Sequence, residues 1–250
     1  MGEKVDMSRE YQTPQWSVWE ALIVFAIIIS TKFFLPFSLM PWFNSLSSIT
    51  CPSNLYLGQV FWNSMFTAGS FFLLIGLLIK IKYHLGWSEV GLRPGTGKNW
   101  LFIGVSQGIM LFLAMSILIS IISMFYSFEI EEQQIVDVFS TARTRWEQFL
   151  CLIIVAIVAP LSEELYFRGF LYPAIGKVIG EFPAVILTSI FFSMLHFDLI
   201  RFIPIVIGGI WLNLLYIKTG SLYTSIIAHS VWNTIMVLLL FYTQSAAGTV

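Results

Sequence analysis

The sequence predicts an all-α fold, a polytopic transmembrane helix bundle of about seven spans, with six to eight as the range. The first observation is composition: 57% of the 250 residues are hydrophobic, only 11% are charged, and the mean hydropathy is +0.82. The second is a series of apolar runs long enough to cross a hydrocarbon core of about 30 Å. The third is that turn residues separate these runs. With 13 basic and 14 acidic residues the chain cannot cover a soluble core of this size, which excludes a soluble protein.

Seven apolar runs are the predicted spans. They cover residues 17–35, 57–79, 100–126, 146–170, 183–199, 202–217 and 222–242. The connections carry turn signals at Pro36 and Pro41, then at 51–54, 91–95 and 218–221. No segment has the composition of a separate soluble domain, so we expect one integral-membrane domain over residues 1–250.

The distribution of Lys and Arg predicts the orientation, because cytoplasmic connections are enriched in these residues. Nine fall in one set of alternate connections: Lys4, Arg9, Lys80, Lys82, Arg93, Lys98, Arg168, Lys177 and Lys218. The other set holds Arg143, Arg145 and Arg201. We therefore expect a cytoplasmic N-terminus and an external acidic connection at 127–145, in a multi-pass protein of the cell membrane if the source is bacterial or archaeal.

The net charge of −1 gives no basic face for phosphates, which excludes a nucleic-acid partner. The lipid bilayer is the partner that the composition predicts.

Ionisable residues are rare inside the predicted spans and concentrate in three of them. The span at 146–170 carries Glu163, Glu164 and Arg168, and two of the three histidines, His196 and His229, fall in later spans. Charged side chains are costly in lipid, so such residues indicate a functional site unless a structural role explains them.

Helical spacing places these residues on shared faces. Three pairs stand at i, i+4: Glu164 with Arg168, Phe192 with His196, and His229 with Asn233. Neighbouring residues on a helix point about 100° apart, so Glu163 and Glu164 cannot face the same partner. We expect Glu164 to form an ion pair with Arg168 and Glu163 to remain free as a general base, since an apolar setting favours proton uptake by a carboxylate.

Two imidazole side chains and one carboxamide side chain are further candidates for the same site. His196, His229 and Asn233 could together bind a water molecule and a developing oxyanion. A structural interpretation is also open for each feature: the Glu164–Arg168 pair could be structural, His196 could be an interfacial histidine, and His229 with Asn233 could join two spans by hydrogen bonds.

Three motifs occur in order along the chain. They are E-E-x-x-x-R at Glu163, Glu164 and Arg168, F-x-x-x-H at Phe192 and His196, and H-x-x-x-N at His229 and Asn233. In these motifs the sequence resembles the CPBP intramembrane proteases, the CAAX proteases and bacteriocin-processing enzymes also called the Abi family. The surrounding residues at 167–172 and 216–222 resemble the family as well. The resemblance covers 146–236, which we take as the signature catalytic region.

The resemblance implies an intramembrane endopeptidase in which Glu163 activates water with help from His196. It implies further that His229 and Asn233 steady the oxyanion, while Glu164 and Arg168 support the site. Family members are described both as glutamate proteases without a metal and as metal enzymes. The cofactor is therefore left open between none and a divalent metal such as zinc, whose candidate ligands are Glu163, His196 and His229. The implied substrate is a membrane peptide or a lipidated, in some members prenylated, protein.

Three alternative functions are compatible with the sequence. The run 104–108 matches G-x-S-x-G around Ser106, as in a rhomboid-like serine protease, although Gly104 and Gly108 also fit a helix-packing face. A non-catalytic membrane adaptor or chaperone-like scaffold on the same fold is a further alternative, and a transporter is another. We expect instead that Glu163, His196 and His229 converge in one water-filled cavity open to the cytoplasm.

Overall fold

The computed structural model describes residues 14–95, 99–125 and 138–246, apart from the side chains of 32–40. Within these ranges the apolar sequence forms seven helices: α1 (Val18–Thr50), α2 (Leu55–Leu77), α3 (Trp100–Phe125), α4 (Arg145–Ile179), α5 (Glu181–Met194), α6 (Phe202–Thr219) and α7 (Leu222–Ala246). A π-helical turn at Leu78–Lys82 extends α2, a 3-10 helix covers Trp87–Val90, and the described ranges contain no strand. The all-α helix bundle is confirmed. The predicted cytoplasmic N-terminus and most of the acidic connection at 127–145 lie outside the described residues.

Five helices are long and apolar enough to cross a membrane. They are Leu55–Lys82, Trp100–Phe125, Arg145–Ile179, Phe202–Thr219 and Leu222–Ala246. Two shorter apolar helical segments, Val18–Thr31 and Glu181–Met194, coincide with the other two predicted spans. The protein is therefore an integral membrane protein, and the number of crossings beyond five remains a prediction.

Helix α1 is longer than the sequence indicates. A capping box begins it, in which Ser17 and Glu20 bond each other's backbone N–H groups, and it runs without interruption to Thr50. The predicted turn at Pro36 and Pro41 is wrong, because α1 continues through both positions. A proline inside a helix lacks one hydrogen bond and crowds the preceding turn, and packing of the helix against its neighbour offsets that cost. The second half of α1 packs closely on α2: a Cβ at Gly58 would lie 2.8 Å from Ser47 Cβ.

Helix α4 runs continuously to Ile179, past the predicted end at 170, and contains two π-helical segments. These are Ile153–Val158 and Leu165–Leu171, and each is followed closely by a proline, Pro160 and Pro173. A proline ring collides with the carbonyl four residues earlier, which favours opening of the preceding turn. Glu163 and Glu164 lie between the two π-helical segments, and Arg168 lies inside the second one.

Helix α5 is shorter than predicted, and this corrects the placement of His196. The helix ends at Met194, so His196 lies in the following turn rather than inside a helix. Phe197 comes next with a φ of 50°, in the left-handed region, which ends the helical conformation. At 1.5 Å per residue α5 is about 21 Å long, shorter than a hydrocarbon core of about 30 Å.

Helix α4 lies at the centre of the main hydrophobic core. Trp16 stacks on Phe170 with ring centroids 5.0 Å apart and donates a 2.8 Å hydrogen bond to its carbonyl oxygen. Tyr166, also on α4, donates a 3.1 Å hydrogen bond to the carbonyl oxygen of Ala21 on α1. Aromatic rings with satisfied polar groups thus fix α4 against the N-terminal part of the bundle.

Candidate active site

The predicted ion pair within α4 is formed. Arg168 Nη1 lies 2.7 Å from Glu164 Oε1, and both side chains are completely buried. Arg168 Nη2 also donates a 3.2 Å hydrogen bond to the carbonyl oxygen of Gly209 on α6. A buried charge pair needs such additional hydrogen bonds to offset its desolvation, so the pair is anchored to a second helix.

His229 connects the two adjacent glutamates, so the expectation that Glu163 and Glu164 cannot face the same partner is wrong: the two nitrogens of one imidazole ring reach both carboxylates. Its Nδ1 donates a 2.8 Å hydrogen bond to Glu164 Oε1, and its Nε2 lies 3.9 Å from Glu163 Oε2. A carboxylate oxygen only accepts, so the Glu164 contact places a proton on Nδ1 and turns Nε2 toward Glu163. Glu163 is 31% exposed in its side chain whereas Glu164 is fully buried, which fits the different roles expected of them.

His196 is linked to this network through Phe192. Its Nδ1 lies 2.9 Å from the carbonyl oxygen of Phe192, to which it donates, so Nε2 is left for other partners. The Phe192 ring centroid is 4.7 Å from that of His196 and 6.0 Å from that of His229. The guanidinium carbon of Arg168 lies 4.7 Å from the same ring. One phenyl ring therefore contacts both imidazoles and the buried cation.

Asn233 bonds the backbone of α4. Its Nδ2 donates a 3.0 Å hydrogen bond to the carbonyl oxygen of Val155, in the first π-helical segment. In π-helical geometry this carbonyl would accept from residue 160, but Pro160 has no N–H. A proline in the sequence thus creates the acceptor for the Asn233 amide, whose second hydrogen remains available.

A buried polar cluster on α5 and α6 was missed by the sequence analysis, which considered ionisable residues and three motifs. Asn213 donates to the hydroxyl oxygens of Thr188 and Ser189 and to the carbonyl oxygen of Gly209, at 3.3, 3.1 and 3.0 Å. These uncharged polar residues within apolar spans were the available signal, since polar side chains between membrane helices bond across helix interfaces.

The proposed metal ligands are not gathered into a metal-binding group. Across the described residues no set of three or more His, Cys, Asp and Glu side chains has the spacing to hold an ion. Glu163, His196 and His229 have suitable donor chemistry, but catalytic zinc needs three protein ligands near 2 Å from one point. The arrangement of these three residues does not fit a metal site.

The G-x-S-x-G run is a packing face. Ser106 Oγ donates to the carbonyl oxygen of Ile103 in its own helix. A Cβ at Gly104 would lie 2.9 Å from Ile227 Cγ2, and one at Gly108 would lie 2.5 Å from the carbonyl oxygen of Ala228, both on α7. The two glycines permit the close approach of α3 and α7, which confirms the packing interpretation.

Comparison with known proteins supports the motif interpretation. Residues 145–235 match the family described as type II CAAX prenyl endopeptidase, Rce1-like. The chain is 30% identical over 90 residues to YdiL of Bacillus subtilis (strain 168), named as a candidate membrane peptidase, over 36% of this chain and 37% of that protein. It is 31% identical over 97 residues to human CAAX prenyl protease 2, over 31% of this chain and 30% of that protein.

The rat protein of the same name is 33% identical over 81 residues, which cover 31% of this chain and 25% of the relative. The chain thus spans about a third of the length of the curated relatives it matches, or less. No solved structure matches the chain significantly. The resemblance to CAAX proteases is confirmed for this region.

Proposed function

Because residues 145–235 match the Rce1-like CAAX prenyl endopeptidase family, we propose that this protein is an intramembrane endopeptidase that hydrolyses a peptide bond in a membrane-associated protein or peptide. The observation that carries the proposal is the position of His229 between two glutamates of different exposure. One glutamate is neutralised by a buried arginine, and the other is partly open and without a cation in its own helix.

In the proposed mechanism Glu163 is the general base. The 3.9 Å between Glu163 Oε2 and His229 Nε2 exceeds a direct hydrogen bond and suits two groups that share a reacting water molecule. Glu163 removes a proton from the water molecule while the water oxygen attacks the carbonyl carbon of the substrate. The proton then passes to the amine that leaves when the peptide C–N bond breaks. His196 presents Nε2 from the turn after α5 to help orient the water.

His229 and Asn233 stabilise the oxyanion in this mechanism. With a second proton, relayed from the water through Glu163, His229 would donate from Nε2. The second hydrogen of the Asn233 amide is not used by the Val155 carbonyl oxygen. Glu164 and Arg168 do not react: they hold the His229 ring in one orientation. Donors fixed before the reaction stabilise developing charge without reorganisation, which is commonly the largest catalytic effect.

The substrate proposed is a peptide or lipidated protein that reaches the site from the cytoplasmic leaflet. The human and rat relatives are named CAAX prenyl protease 2, so a prenylated C-terminal CaaX peptide is the first substrate to test. A second peptide of identical sequence without the prenyl group shows whether the lipid is required.

The test is cleavage of both peptides in liposomes by wild type and Glu163→Gln. Loss of a general base is expected to lower turnover by about 10²–10⁴-fold. Glu181→Gln is the matched control, since Glu181 is exposed in the first turn of α5, away from the site. A Glu163→Gln variant that cuts at the wild-type rate contradicts the mechanism. A folded wild type that cuts nothing, with a cellular phenotype that Glu163→Gln retains, supports the adaptor alternative.

A further inference from the structure

Asn213 lies in the middle of α6 and is 1% exposed. Its amide nitrogen is within 3.3 Å of three acceptors: the hydroxyl oxygens of Thr188 and Ser189 on α5, and the carbonyl oxygen of Gly209 one turn earlier on α6. The residue therefore joins two helices through one side-chain group. Neither helix end nor solvent is involved.

The hydroxyl hydrogens show why the nitrogen of the Asn213 amide must face α5. Thr188 Oγ1 donates to the carbonyl oxygen of Ala184, and Ser189 Oγ donates to that of Val185, each at 2.7 Å. Each hydroxyl has a single hydrogen, so both oxygens are left as acceptors toward α6. An amide nitrogen donates to both oxygens while these two bonds stay in place, whereas an aliphatic side chain at 213 would leave both oxygens without this donor.

The same cluster contacts the buried ion pair. The carbonyl oxygen of Gly209 accepts from Asn213 Nδ2 and also from Arg168 Nη2 at 3.2 Å. Glycine at 209 suits the close approach of the helices, since a Cβ there would lie 3.0 Å from Ser189 Cβ. One carbonyl group thus joins the cation on α4 to the bridge between α5 and α6.

The bridge lies close to the C-terminal end of α5. Ser189 lies about one helical turn before Phe192, and His196 follows in the turn after the helix. The Phe192 ring lies against both the Arg168 guanidinium and the His196 imidazole, with 4.7 Å separations. A shift of α5 relative to α6 would therefore move His196 relative to α4.

We infer that Asn213 is a positioning residue, which fixes α5 and the following His196 relative to the Glu164–Arg168 pair. The inference rests on the proposed function in one respect, since the site it positions is the proposed active site. Asn213 does not touch the reacting atoms. Its contribution is to the distance between groups on different helices, and a displacement of about 1 Å lowers catalytic rates by about 10²-fold.

Two variants of Asn213 and one control test the inference. Asn213→Leu is similar in size and removes all three hydrogen bonds. Asn213→Thr is the milder second variant, because its hydroxyl can bond the Gly209 carbonyl oxygen but does not bridge to α5. Gln107→Leu is the matched control: it removes the 2.9 Å bond from Trp211 Nε1 to Gln107 Oε1, which joins α6 to α3 instead.

Two readouts separate positioning from a general loss of stability. Both Asn213 variants are expected to lower kcat about 10–100-fold with KM changed less than about 3-fold, and to shift the imidazole NMR signals of His196. Gln107→Leu is expected to lower the melting temperature comparably while kcat and the His196 signals stay as in wild type. Wild-type kcat and His196 signals in both Asn213 variants would overturn the inference, as would equal effects in Gln107→Leu.

The NMR readout also distinguishes this inference from the proposed function. The chain has three histidines, so His84→Gln and His196→Gln spectra assign the imidazole signals. If Glu163→Gln keeps the wild-type cleavage rate, the proposed mechanism fails, yet the His196 signals of the Asn213 variants still show whether Asn213 positions α5. Shifted signals without cleavage support the positional role alone.

Discussion

Substitution of Arg168 by methionine should destabilise the protein more than replacement of both members of its ion pair. Arg168→Met leaves Glu164 completely buried without its cation, and removal of one partner of a buried pair costs about 3–5 kcal/mol. Glu164 keeps its 2.8 Å hydrogen bond from His229, so we expect a loss near the lower limit, about 3 kcal/mol. The double variant Glu164→Gln, Arg168→Met has no buried charge at these positions and should lose only about 1–2 kcal/mol.

Unfolding by SDS in mixed micelles, followed by tryptophan fluorescence, measures these free energies in a chain with nine tryptophans. The internal control is Arg201→Met. In the wild type Arg201 Nη1 lies 2.6 Å from Asp198 Oδ2, and the two side chains are 22% and 11% exposed, respectively. Asp198 is not fully buried and keeps its 2.8 Å hydrogen bond from the Arg201 backbone N–H, so Arg201→Met should cost less than Arg168→Met, about 1 kcal/mol. The reasoning is refuted if the free energy of unfolding of Arg168→Met lies within about 1 kcal/mol of the wild-type value, or if the double variant is at least as unstable as Arg168→Met.

Two other predictions concern the α3–α7 contact and the Asn233 amide. Gly108→Ala should destabilise by about 1–3 kcal/mol, because its Cβ would meet the Ala228 carbonyl oxygen at 2.5 Å. Gly69→Ala, with nothing within 4 Å of its Cβ, should change stability by no more than about 1 kcal/mol in the same SDS titration. Asn233→Leu should lower kcat by about 10²–10³-fold with little change in KM, since it removes a proposed oxyanion donor together with the bond to Val155. A fall in kcat of less than about 3-fold would exclude that role.

Contacts that depend on one helix could be predicted from the sequence. The Glu164–Arg168 pair needs only i, i+4 spacing, and the helix supplies the remaining geometry. The contact between His229 and Glu164 joins residues 65 positions apart, so it depends on how α4 and α7 pack. The sequence identified both residues as site members, but it contained no local signal for their pairing.

Helix ends were predicted less well than helix positions, and for different reasons at each place. Pro36 and Pro41 look like a turn locally, yet packing of α1 on α2 keeps the backbone helical to Thr50. The apolar run containing His196 continues to Leu199, although the helix stops at Met194. Hydropathy reports which side chains suit lipid, and it does not distinguish a helix from an apolar turn that follows it.

The spacing of the charges on α4 also bears on how the protein enters the membrane during synthesis. Helices α5, α6 and α7 follow α4 in the chain, so the Gly209 carbonyl and His229 reach the membrane after α4 does. A lone arginine or acidic residue at the centre of an inserting helix costs about 2.5–3.5 kcal/mol. Arg168 is the partner that Glu164 already has within its own helix. The pairing would allow α4 to partition into lipid first and to acquire its other partners as the later helices arrive.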